Sequence, residues 1–247
     1  REIAQRFRTS RLGGLWLLIH PLALMLTFYF VFAVIFQNRW RSPNESRGEF
    51  ILALFAGLLM FNVFSEIVGR SPSLVVGNVN YVKKVVFPLD ILPLVAALSA
   101  LANWVVGACV WMVFFVLVRE SLPPSTALAA PILLLPIVLY AIGTTWILSS
   151  LCVYFRDIGQ AIPLVLQAMI FFAPVLYPLD RVPDGVLRGL LLLNPLSVPI
   201  ESLRLLCLDG GVPGFMNFIG SFVGSIALAH LGHAFFVKMR AGFADVL

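Results

Sequence analysis

Long apolar runs alternate with short polar segments along this chain, and the run lengths set the first expectation. Residues 17–36, 50–68, 91–118, 128–153 and 214–237 are apolar over roughly the 18–20 residues that cross a hydrocarbon core at about 1.5 Å per residue. A sixth run, 161–176, is shorter and holds Pro163 and Pro174. Beyond it lie YPLDRVPDG, an apolar piece at 186–193, the breaker Asn194-Pro195 and a mixed piece at 197–208. Pieces that short do not span. They predict a pair of re-entrant half-helices within 178–209, on the outer side, whose backbone groups must be met by protein or water.

Residues 1–14, REIAQRFRTSRLGG, place Ile3, Phe7 and Leu12 on one side of a helix and Arg6, Arg8 and Arg11 where they reach headgroups, the pattern of an interfacial helix. The 17–36 run is too long for a signal-peptide core and has no A-x-A site, so it is read as a span. The predicted fold is therefore an all-α integral membrane protein. It has six transmembrane helices, an N-terminal interfacial helix and two half-helices, in one transmembrane domain over 1–247. No repeat of 20–50 residues and no inverted symmetry of the secondary-transporter kind stands out.

Composition agrees: 60% of the 247 residues are hydrophobic, 12% are charged and the mean hydropathy is +0.98. A soluble domain carries about twice that charge density. The net charge of +5 does not read as a nucleic-acid surface. With both termini cytoplasmic, the cytoplasmic segments take ten of the 17 Lys and Arg but five of the 12 acids, and the outer side balances. That is the positive-inside bias. Cys109, Cys152 and Cys207 show no metal-ligand spacing and read as buried thiols, not a disulfide or metal set.

Between the second and third runs lies GNVNYVKKVVFPLD, residues 77–90. On a helix over 73–86, Val75, Val79, Val82 and Val86 share one side, while Gly77, Asn80, Tyr81 and Lys84 face away. Pro88 pushes Phe87 out of helical geometry and ends the element. Two readings fit: a connector anchored by snorkelling lysines, or a docking helix for a cytosolic protein.

No chemistry of its own is written in the chain. Lys83 and Lys84 follow Gly77 without the second glycine of a phosphate loop, and His20, His230 and His233 form no H-E-x-x-H. No G-x-S-x-G elbow is present. The chain is expected not to be an enzyme and to hold no cofactor or metal. Polar residues inside the runs, Asn62, Glu66, Asn103, His230 and His233, are functional candidates by default, with Arg70 four residues after Glu66 as an ion-pair partner. GSFVG, 220–224, offers a small-residue contact between helices. Aromatic stripes at Phe28, Phe32 and Phe36 with Tyr29, and at Phe171, Phe172 and Tyr177, read either as packing or as a wall on which sugar rings slide.

The ordered set FRTSRLGGLWLLIHPL, FAGLLMFNVFSEIVGRSPSLVVGNVNYVKKVVFPLDILPL, YFRDI, APVLYP, LLLNPL…ESLR and the closing ADVL resembles the permease subunit of bacterial polysaccharide (O-antigen type) ABC exporters. The resemblance implies a type-2 ABC exporter permease in the bacterial inner membrane, pairing with a second copy and with two cytosolic ATPase subunits that carry the ATP and Mg. It implies that 73–86 is the coupling helix, with Asn80, Tyr81, Lys83, Lys84, Arg156 and Asp157 at the ATPase contact. It implies export of undecaprenyl-pyrophosphate-linked polysaccharide through a channel framed by the first and fifth spans. Arg6, Arg8 and Arg11 then meet either the pyrophosphate or plain headgroups. Alternatives are export of capsule or teichoic acid polymer or a hydrophobic drug by the same architecture, an ion-coupled transporter, or a membrane glycosyl-transfer enzyme. Combining Tyr81→Ala with Lys84→Glu is expected to abolish co-purification of the ATPase and to remove surface polymer; unchanged values of both return the segment to a connector.

Overall fold

The computed structural model describes residues 15–36, 46–78 and 88–246, and every regular element in them is helical. Helix α1, Trp16–Phe28, continues as a π-helix over Tyr29–Ile35. Helix α2, Arg47–Gly69, starts on a side-chain N-cap: Ser46 Oγ accepts from the Glu49 amide at 3.2 Å. A short α3, Ser71–Leu74, and a 3₁₀ turn, Val76–Asn78, follow. Next are α4, Leu92–Arg119, α5, Ala130–Tyr154, and α6, Arg156–Phe172. Helices α7, Val186–Leu193, and α8, Ser197–Arg204 with a π-helical end Leu205–Asp209, precede α9, Phe215–Arg240, and α10, Phe243–Val246.

Among the described residues four helical stretches are long and apolar enough to cross a bilayer: Arg47–Leu74, Leu89–Arg119, Ser125–Tyr154 and Phe215–Arg240. The first of the six expected spans holds a shorter apolar helix, Pro21–Phe32, and the fifth is the 17-residue α6, which opens on Arg156 and Asp157. The half-helix pair is present, α7 and α8 meeting at 89° across Asn194-Pro195. The interfacial helix expected at 1–14, with Arg6, Arg8 and Arg11, lies outside the described residues, as do 79–87 of the expected coupling helix.

Helix α2 is the centre of the bundle. Of its most apolar window 83% is buried, against 17–44% for the other three long helices, so its neighbours surround it while theirs face outward. Trp111 of α4 donates its indole N–H to the Leu52 carbonyl at 3.0 Å, and Arg119 pairs with Glu49 at 3.5 Å while lying over the Phe115 ring. These contacts tie α4 to α2 at what we term the distal end. Residues 69–78, 88–91, 154–159 and 238–246 lie at the opposite, proximal end.

Helices α5 and α9 make the closest pair. A Cβ on Gly143 would stand 2.7 Å from the Leu228 carbonyl oxygen, and one on Gly232 would overlap the Gly143 carbonyl. The backbones touch because neither residue has a side chain. The GSFVG motif contributes less than its sequence suggests. Gly224 faces the Tyr140 hydroxyl of α5, within the chain, but nothing lies within 4 Å of a Cβ on Gly220. Gly232→Ala is expected to lower stability by about 1–3 kcal/mol through overpacking, and Gly220→Ala to change it by no more than about 0.5 kcal/mol. Thermal unfolding in detergent separates the two.

Candidate functional site

Helix α6 differs from the long helices in segregating its apolar and polar residues. Phe155, with φ −127° and ψ 92°, is the only residue between α5 and α6, so the chain turns there without a loop. Arg156 and Asp157 therefore open α6 rather than close the fourth span, and Asp157 stands in the first turn, where the helix dipole favours a carboxylate. At 100° per residue Asp157, Gln160, Leu164, Gln167 and Phe171 fall within about 80° of arc. All five are exposed, and Ile162 on the other side is buried. Helix α6 thus turns two amides, Gln160 and Gln167, outward on the same side as Leu164 and Phe171.

The α2 surface beside it has the same character. Its exposed or half-buried positions in the proximal half are Asn62, Ser65, Glu66 and Gly69, one helical strip. A Cβ on Gly69 would lie 3.6 Å from Leu166 of α6. Glu66 pairs with Arg70 at 3.0 Å and accepts from the Asn103 amide at 2.9 and 2.8 Å, which binds α4 to this strip. The ion pair expected from the Glu66–Arg70 spacing is formed; Asn103 is an added partner from 37 residues away.

The aromatic candidates divide. Phe28 and Phe32 stack at 5.8 Å and 14°, and Phe32 lies 6.0 Å from the ring of buried Phe50. With Tyr29 they are half-buried against the core, whereas Phe36 is 63% exposed. Phe171 and Phe172 are each 64% exposed at the distal end of α6. Tyr177 is half-buried and donates its hydroxyl to the Phe171 carbonyl at 2.9 Å, so it serves the backbone first.

The end of α6 is held from the half-helix region. Asn194 donates its side-chain amide to the Phe172 carbonyl at 3.0 Å while its Oδ1 accepts from the Leu196 amide at 3.0 Å. Arg204 donates to the carbonyls of Pro174, Val175 (2.6 Å) and Ala53 (2.9 Å) and to Glu201 at 3.0 Å. Sequence reading places neither side chain there; the signals available are an Arg at the end of a mixed half-helix and an Asn directly before a Pro.

At the proximal end, Val75 is buried and Ser73 and Gly77 are exposed, in a short helix and 3₁₀ turn that lead to the undescribed part of the expected coupling helix. Asn78 caps back to the Leu74 carbonyl at 2.9 Å, and Pro72 packs where a Cβ on Gly159 of α6 would stand 3.1 Å away. After the undescribed stretch, Asp90 faces Arg240 at 3.4 Å and His233 at 3.8 Å, and its carbonyl accepts from Trp146 at 3.1 Å. Both flanks of 79–87 are thus fastened to the bundle. Asn80, Tyr81, Lys83 and Lys84 lie outside the described residues, and Arg156 and Asp157 are exposed at this same end.

A bundle with a central buried helix, a break between half-helices and a short polar segment between its second and third runs matches a family model, that of the ABC-2 type transporter, over residues 1–208. The chain belongs to the ABC-2 type transporter family. This ABC-2 protein is a multi-pass membrane protein. It is 27% identical over 247 residues to the O-antigen export system permease protein RfbA of Klebsiella pneumoniae, covering 100% of this chain and 92% of that one. With the RfbA permease of Myxococcus xanthus the identity is 28% over 246 residues, 99% of this chain and 92% of that one. The polysialic acid transport protein KpsM of Escherichia coli is 26% identical over 220 residues, 88% of this chain and 80% of that one.

Within this ABC-2 protein Asn103→Leu should cost about 1–3 kcal/mol, because it strips a donor from the half-buried Glu66 carboxylate. Asn62→Leu, at an exposed position, should leave unfolding almost unmoved. Chemical denaturation of the two variants in one detergent tests the difference.

Proposed function

We propose that this chain is the permease of an ATP-driven exporter of lipid-linked, O-antigen-like polysaccharide in the bacterial inner membrane, with both termini cytoplasmic, working as a homodimer with two cytosolic ATPase subunits that bind the ATP and Mg. The observation that carries the reading is the exposed face of α6, which sets Gln160 and Gln167 in line with Phe171. A polymer rich in hydroxyls needs a polar route through hydrocarbon. Amides give its hydroxyls partners, and exposed rings stack on the apolar faces of sugars without fixing one position. The names of the RfbA relatives point to the same cargo.

In this reading the path lies between the α1 and α6 faces of two copies, since α1 and α6 both flank α2 and each leaves large apolar residues uncovered. The proximal end receives the motor. In this reading the segment 73–86 is the docking helix, anchored through Pro72 before it, Asn78 within it and Asp90 after it, and Asn80, Tyr81, Lys83, Lys84, Arg156 and Asp157 make the ATPase contact. Arg6, Arg8 and Arg11 gather the lipid-borne pyrophosphate at the inner leaflet.

The likeness to KpsM favours a second reading, export of a capsule polymer by the same architecture. The polymer lost from the cell surface on deletion distinguishes the two. Within either, Phe172→Ala or Gln167→Leu should lower surface polymer about tenfold, the loss of roughly 1.4 kcal/mol of path contacts, at unchanged transporter level. Phe32→Ala should instead cost about 2–3 kcal/mol of stability, since its ring packs on Phe50. Normal polymer output from both α6 variants would remove that helix from the path.

A further inference from the structure

Arg204 is 1% exposed. Its guanidinium bridges three pieces of chain: α2 through the Ala53 carbonyl, the turn after α6 through the Pro174 and Val175 carbonyls, and α8 itself through Glu201. Ala53 and Gly57 stand six and ten residues into α2, so the charge sits about 9–15 Å from that helix end. A cation at that depth is costly, and an apolar side chain of similar volume fills a core at less expense. The site is nevertheless shaped for it. A Cβ on Gly57 would overlap Nη2, would stand 3.2 Å from Cζ and would lie 3.4 Å from the Val175 oxygen. Only a planar fork meets carbonyls in those separate directions; an ammonium presents one point.

The other end of α6 is held differently. There Phe155 allows a sharp turn, and Gly159 rests on Pro72, at the base of the segment that leads to 79–87. One end of α6 is pinned by charge-assisted hydrogen bonds, and the other leans on a contact between a ring and a missing side chain.

We propose that Arg204 is a positioning residue for export: it is the fixed point of a lever whose arm is α6 and whose pushed point is the Pro72–Gly159 contact. Movement of the docking segment then swings the Gln160 and Gln167 face while Phe171 and Phe172 stay registered against α2. This rests on the reading of α6 as path lining.

The test uses the full transporter with its ATPase, comparing wild type with Arg204→Lys, which keeps the charge, and Gly57→Ala, which keeps the arginine but closes its notch. Hydrogen exchange, ATP hydrolysis and polymer exported per folded transporter are read together. Both variants should raise exchange across residues 170–178 by about tenfold or more with the rest of the chain protected as in wild type. ATP hydrolysis should continue while export falls by a similar factor. Loss of protection along the whole chain in both variants, or export per folded transporter equal to wild type, overturns the lever. If the wild-type complex moves no polysaccharide, the function proposed above fails by itself. The lever is then decided by whether exchange rises locally with ATP hydrolysis retained.

Discussion

The constraint on which this architecture depends is the fate of a few backbone carbonyls. Helix α6 ends at Phe172, and the chain then turns through Ala173 to Val175, all three residues buried and the Val175 amide donating to the Ala173 carbonyl at 2.7 Å. A helix end in apolar surroundings leaves carbonyls with no helical partner, and each one unmet costs roughly 1–3 kcal/mol. Here the Phe171, Phe172, Pro174 and Val175 oxygens accept from Tyr177, Asn194 and Arg204. The half-helices are the scaffold that brings those donors to the break. Their own irregular ends are met in turn: Ser197 donates to the Leu191 carbonyl, Thr126 to that of Leu206 and Arg119 to that of Leu208.

The same logic explains the division of labour among the helices. Helix α2 is apolar nearly all round and buried, so it serves as the post against which others are measured. Helices α4 and α9 bury little of themselves within the chain and leave most of their apolar surface exposed. Among the described helices α6 combines a buried apolar side at Ile162, an amide-bearing exposed side and a C-terminal end met by Asn194.

Much of this was legible in the sequence because run length and proline position are direct readings of bilayer thickness and backbone chemistry. The four long spans, the half-helix pair around Asn194-Pro195 and the Glu66–Arg70 pair all follow from such local signals. The site was less legible, for two physical reasons. Contacts such as Arg204 to Ala53, 151 residues apart, leave no local pattern. The three-phenylalanine stripe of α1 has the same spacing whether its rings face a neighbour or a path, and only the position of Phe50 shows that Phe32 packs. Gln160 and Gln167 are two amides one heptad apart, but the apolar run in the sequence starts at 161, after the polar Arg156, Asp157 and Gln160, so only Gln167 falls inside it.

Chain order gives the Arg204 contacts a further meaning. The carbonyls of Phe172, Pro174 and Val175 are synthesised 22 to 30 residues ahead of the donors that satisfy them. Until Asn194 and Arg204 emerge from the ribosome, the nascent protein holds open acceptors that hydrocarbon cannot solvate. A polypeptide ending before that point keeps these three acceptors without their donors, whereas one extended past Arg204 carries its own means of meeting them.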